Sequence, residues 1–65
     1  MTQNSLAIII PAFNEAETIS TVISKVRACY PIALIIVVDD GSCDDTAEVA
    51  RIAGATVISH IFNMG

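Results

Sequence analysis

The sequence predicts an α/β fold, a βαβαβ unit forming half of a doubly wound parallel sheet. Three observations carry that reading. Leu6-Ala7-Ile8-Ile9-Ile10 and Ile35-Ile36-Val37-Val38 are unbroken apolar runs, and a short apolar run without polar alternation reads as a strand buried on both faces. Between them, Ile19, Val22, Ile23, Val26 and Tyr30 recur at helical spacing and give one apolar face. A second helical stretch and a third apolar run, Ala55-Thr56-Val57-Ile58-Ser59, complete the alternation. Crossovers of this kind are right-handed.

Each element has its own signals. Met1 to Ser5 is polar, and such ends fray. Pro11 is expected to end the first strand, because proline cannot donate to a central ladder. Pro11-Ala12-Phe13-Asn14 is then the loop at that strand's carboxyl end. Asn14 reads as the N-cap of the first helix, with Glu17 as its capping-box partner. Glu15 and Glu17 would lie in the first turn, where the helix dipole favours negative charge. Pro31 closes the helix, since the residue before a proline avoids helical geometry. The central strand follows and stops at Asp39-Asp40-Gly41-Ser42, where Gly41 permits a sharp turn. Ser42, Asp44 and Asp45 are all possible caps for the second helix. That helix runs to about Ala53, with Val49, Ala50 and Ala53 inward, Glu48 and Arg51 outward, and Gly54 at C′. The third strand is shorter and less apolar, hence nearer an edge. The first and second strands are adjacent, which places Pro11–Glu15 beside Asp39–Ser42 at one mouth of the sheet.

Composition narrows the function. Of 65 residues, 54% are hydrophobic and 15% charged. A domain this small buries only about 60% of its unfolded surface, so residues 1–65 read as the truncated N-terminal part of a larger domain. The net charge of −4 lacks the basic stripe that nucleic acid requires and the polybasic patch of an anionic membrane surface. None of the basic residues Lys25, Arg27 and Arg51 is expected near the acidic loop. A phosphate there would need a metal ion or residues beyond Gly65. Cys29 and Cys43 have neither CxxC nor zinc-like spacing and read as reduced thiols. No run has the length of a membrane span or the flanks of a signal peptide.

Parallel sheets bind ligands at the carboxyl ends of their strands, so Asp39 and Asp40 stand where a site belongs. The phosphate signatures G-x-G-x-x-G and G-x-x-x-x-G-K-[ST] are absent, and the acidic loop lacks calcium-loop spacing. Successive strand side chains point to opposite faces. One aspartate can therefore face a ligand, while the other orients the loop by accepting backbone N–H bonds. An ionised carboxylate only accepts hydrogen bonds, and would take the ring N–H of uracil or guanine. A purely structural role for both, capping the turn and the next helix, is the competing reading.

Ile8-Ile9-Ile10-Pro11-Ala12-Phe13-Asn14-Glu15, followed by Val37-Val38-Asp39-Asp40-Gly41-Ser42 with Asp44, Thr46 and a closing Asn63-x-Gly65, resembles the family 2 glycosyltransferases of GT-A (Rossmann-like) fold. The likeness is greatest to polyprenyl- (dolichyl- or undecaprenyl-) phosphate sugar transferases. The resemblance implies a UDP- or GDP-sugar donor, an acceptor such as polyprenyl phosphate, and a nucleotide site comprising Pro11, Ala12, Phe13, Asn14, Glu15, Val38, Asp39, Asp40 and Gly41. Phe13 stands where the family often has tyrosine, and Cys43 where it commonly has threonine. Phe13 also reads as core packing. The resemblance further implies Mg2+ or Mn2+ on ligands outside this chain, as are the catalytic residues. It implies a cytoplasmic protein, peripheral at the inner membrane face through segments not present here, with no turnover from residues 1–65 alone. The rival readings are a receiver-type signalling domain with an acidic Mg2+ pocket, which lacks an aspartate at the third strand's end, and a non-functional truncated product. His60 is assigned no chemistry.

Overall fold

The computed structural model describes residues 6–59; the readings made for Met1–Ser5, His60 and Asn63-x-Gly65 lie outside them. The elements alternate as expected: β1 (Ala7–Ala12), α1 (Ile19–Cys29), β2 (Leu34–Asp39), α2 (Thr46–Ile52) and β3 (Thr56–Ser59). All pairings are parallel, in the order β1-β2-β3. Ile8 pairs with Ile35 and Ile10 with Val37 across the first ladder, and Val37 with Val57 across the second.

Both crossovers step the same way across the sheet, so connections of one hand put both helices on one face. The core agrees. Ile19 and Ile23 of α1 and Ala50 of α2 pack with Ala12, Ile35, Val37 and Ala55. Ile23, Ile35 and Val37 are fully buried, each worth roughly 1.5–3 kcal/mol relative to exposure. Burial on two faces is met on one only: on the other, Ile9, Leu34 and Ile58 are 64%, 52% and 51% exposed. With both helices on one side, residues 6–59 supply no second layer.

Two boundaries differ from the sequence reading. Pro11 lies inside β1 rather than ending it. The carbonyls of Leu6 and Ala12 accept from the N–H groups of Leu34 and Asp40, so even-numbered residues of β1 bond to β2. The nitrogen of Pro11 therefore faces away from the ladder, where a missing N–H costs nothing. The second difference is at α1, which starts at Ile19 with Thr18 in the cap position and no side-chain cap. Asn14 has φ 53°, a left-handed conformation that a helix N-cap does not use. Residues 15–18 form a turn in which the N–H groups of Thr18 and Ile19 both donate to the Glu15 carbonyl. Neither Glu15 nor Glu17 lies in the first turn of α1, so the capping-box and helix-dipole readings fail. Tyr30, expected on the apolar face, is 49% exposed as the C-cap.

The amino ends of the strands are closed locally. The Gly54 and Ala55 N–H groups donate to the carbonyls of Arg51 and Ala50, the paired bonds of a Schellman ending. Gly54 at φ 103° supplies the conformation. The Arg27 guanidinium donates to the Ala33 carbonyl at 2.8 Å and reaches the Gly54 carbonyl at 3.5 Å. Glu48 and Arg51 form an exposed ion pair on α2.

Candidate functional site

Register places the two loops together. Ala12 pairs with Asp39 at the end of the first ladder, and the next N–H, of Asp40, donates to the Ala12 carbonyl at 3.0 Å. Pro11–Glu15 and Asp39–Ser42 therefore leave the sheet side by side.

The adjacent aspartates have opposite surroundings. Asp39 is on the helix-covered face and only 6% exposed. Its Oδ1 accepts from the Ser42 N–H at 3.1 Å and from the Ser42 hydroxyl, which is the loop-orienting role. Asp40 is exposed. Strand alternation continues through its ladder bond, so it belongs to the helix-free face with Pro11 and Val38. Gly41, at φ 77° with open space around a would-be Cβ, is required by backbone conformation alone.

The first loop is held by the second. Three successive N–H groups, of Asn14, Glu15 and Ala16, donate to Ser42 Oγ (2.8 Å), Thr46 Oγ1 (2.8 Å) and Asp44 Oδ2 (3.2 Å). In return, Asn14 Oδ1 accepts from the Cys43 N–H at 2.7 Å. Arrays of successive amides often cradle anions, but these are filled by the protein's own oxygens. Thr46 is completely buried, and its hydroxyl donates to Asp44 Oδ1. Asp44 Oδ1 also accepts from the Thr46 N–H at 3.0 Å. The Thr46 hydroxyl chiefly, against some desolvation, lowers the Asp44 pKa below the ordinary aspartate value, with help from the Ala16 and Thr46 amides.

Of the residues named from sequence, Pro11, Phe13, Asn14, Glu15, Val38, Asp40 and Gly41 lie at least partly open at this end of the sheet. Phe13 is 55% exposed and lies outside the core of residues 6–59. Ala12 and Asp39 are buried and support the loops from beneath. Sequence reasoning left Ser42 and Thr46 out of the site. The available signal was a hydroxyl three residues after Asp39 and another two after Asp44, both spacings at which a carboxylate bonds a local backbone.

Among the described residues, no group of three or more His, Cys, Asp or Glu side chains is arranged to hold a metal ion. A divalent cation does not fit the residues here. Cys29 and Cys43 are free and exposed. No helix among the described residues is long and apolar enough to cross a membrane. A groove of about 430 Å3 between α1 and α2 is lined by Ser20, Ser24, Val49, Ile52 and Ala53. It has no titratable group and stands apart from the strand-end loops.

Known proteins resemble this chain in sequence and in fold. The family model described as glycosyl transferase family 2 matches residues 7–65. Protein RfbJ of Shigella flexneri is 47% identical over 55 residues, covering 85% of this chain and 43% of its own length. Glycosyltransferase AglJ of Haloferax volcanii is 46% identical over 57 residues, covering 88% and 18%. Glucosyl-3-phosphoglycerate synthase of Mycobacterium tuberculosis, solved with Mn2+, UDP-glucose and phosphoglyceric acid, superposes with a TM-score of 0.73 and 36% identity, covering 85% and 20%. The chain thus spans less than half the length of these relatives. With the family model matched across nearly all its residues and the βαβαβ sheet shared with a solved relative, the chain belongs to glycosyl transferase family 2.

Proposed function

We propose that the slot between the two strand-end loops holds the nucleoside of a UDP- or GDP-sugar. The whole protein, on this reading, transfers that sugar to an acceptor such as polyprenyl phosphate. The observation that carries the reading is that the ladder ends by setting the exposed Phe13 loop beside Asp40, an exposed carboxylate on the helix-free face. The amides of residues 14–16, which would suit phosphate, are bonded within the protein, and the exposed groups at this mouth include a carboxylate and an aromatic ring. Those groups suit a base with a ring N–H. Uracil and guanine have one on the hydrogen-bonding edge; adenine does not.

Support also comes from the Mycobacterium tuberculosis relative, solved with UDP and with Mg2+ or Mn2+. A departing nucleoside diphosphate gains charge that must be neutralised. Among the described residues no group of carboxylates is arranged to hold a metal ion, so the Mg2+ or Mn2+ proposed for the whole protein belongs on ligands elsewhere, as do the acceptor site and any membrane contact. Residues 1–65 alone are expected to show no turnover with UDP-glucose or GDP-mannose.

Calorimetric titration of the chain with UDP, GDP and ADP tests the reading. UDP or GDP should bind at least about tenfold more tightly than ADP, and Asp40→Asn should weaken the favoured nucleotide by about tenfold. Equal binding of all three, or indifference to Asp40→Asn, would contradict it.

A further inference from the structure

We infer that Ser42 and Thr46 are positioning residues, a pair of hydroxyl latches that set nucleotide affinity without facing the nucleotide. The inference deepens the nucleotide-binding reading and rests on it. Its basis is a repeated three-part chain. In one copy, the Ser42 hydroxyl donates to the Asp39 carboxylate and accepts from the Asn14 N–H. In the other, the Thr46 hydroxyl donates to the Asp44 carboxylate and accepts from the Glu15 N–H.

The direction of each bond follows from chemistry. A carboxylate can only accept and a backbone N–H can only donate, so the hydroxyl between them must donate to one and accept from the other. Each carboxylate thus fixes where its hydroxyl proton lies, and a lone pair is held toward the first loop. The two latches grip consecutive amides, at the residue in left-handed conformation (Asn14, φ 53°) and the one after it. A non-glycine residue with positive φ persists only where surrounding bonds hold it. Asn14 is bonded on both sides, through its own N–H to Ser42 and through its Oδ1 to the Cys43 N–H. Phe13 immediately precedes this residue, so the latches also fix the backbone that carries its exposed ring. Preorganisation of this kind raises affinity by removing the cost of ordering a loop on binding.

The test uses the whole chain, with two readouts on the same variants. Amide hydrogen exchange reports the latch, and calorimetric UDP titration reports its consequence. Thr46→Val preserves shape and removes the hydroxyl; Thr46→Ser restores it. Ser42→Ala tests the other latch at a less buried position, should Thr46→Val fail to fold. The expected result is exchange at least about tenfold faster at Asn14, Glu15 and Ala16, unchanged exchange at Val37, and UDP affinity about tenfold weaker. Thr46→Ser should recover both. Unchanged exchange at residues 14–16 in folded Thr46→Val and Ser42→Ala overturns the latch, whatever UDP does. Faster exchange with unchanged UDP affinity overturns the positioning role and leaves only a structural one. Failure of the unsubstituted chain to bind UDP or GDP overturns the nucleotide reading and the positioning role together, while exchange still decides the latch.

Discussion

The two ends of the sheet are closed by different kinds of bond. At the amino ends, the turns are closed mainly by backbone groups three to five residues apart, Ala33 to Tyr30, Gly54 to Arg51 and Ala55 to Ala50. Arg27 adds a longer tie to Gly54. At the carboxyl ends, side chains of the second loop bond the backbone of the first across 28 to 31 residues of sequence. Local closure needs only the right turn residue. Cross-bracing makes the shape of one loop depend on the sequence of another, which suits a surface whose geometry must be held for a ligand.

The largest effect should come from the core that both ends share. Ile23→Ala removes a fully buried side chain and should cost about 2–5 kcal/mol. That rivals the whole stability of roughly 3–10 kcal/mol typical of a domain this size. Loss of a cooperative thermal transition is expected, and a melting midpoint close to that of the parent would argue against the packing described.

Substitutions confined to one end sharpen the contrast. Asp39→Ala strips the buried acceptor from Ser42 and should cost about 1–3 kcal/mol in denaturant unfolding. Exchange should quicken at residues 14–16 before Arg51–Ala55. Asp40→Asn, an isosteric change at an exposed position, should cost less. Equal losses would mean that the two aspartates do not divide their roles. At the other end, Gly54→Ala meets no steric obstacle, but its φ of 103° is strained for any side chain. A loss of about 1–2 kcal/mol is expected, with exchange faster near Ala55 and unaltered at Asn14.

The smallest effect is a pH dependence. The Asp44 pKa is lowered by folding, chiefly through the Thr46 hydroxyl. Its contribution is therefore fully present above the ordinary aspartate value. It is lost as pH falls from there through the lower folded value. Melting midpoints should fall more steeply on acidification in the parent than in Asp44→Asn. Identical acid limbs would remove Asp44 from the brace.

The local end of the molecule was the legible one. Gly54 and Pro31 act through steric rules that a short window of sequence contains, and each lies where those rules put it; the two apolar runs form strands as expected, covered on one face only among the described residues. The division between Asp39 and Asp40 was also legible, because strand alternation alone forces neighbours apart. Which of the two faces the helices depended on the side taken by both crossovers. Asn14 misled because its capping chemistry is real, but its partners, Ser42 and Cys43, are 28 and 29 residues away. Pro11 misled because a proline is excluded only from the bonded side of a ladder, and sequence does not show which side is bonded. Thr46 was overlooked as a site residue because a hydroxyl at a helix start ordinarily serves its own helix.

The measurement closest to the central claim is amide chemical-shift mapping of the chain during titration with UDP and with GDP. Saturable shifts are expected to cluster at residues 12–15 and 38–41, with Ser20, Ser24, Val49 and Ile52 in the interhelical groove unmoved. Shifts centred on that groove, or none at the strand-end loops at saturating nucleotide, would contradict it.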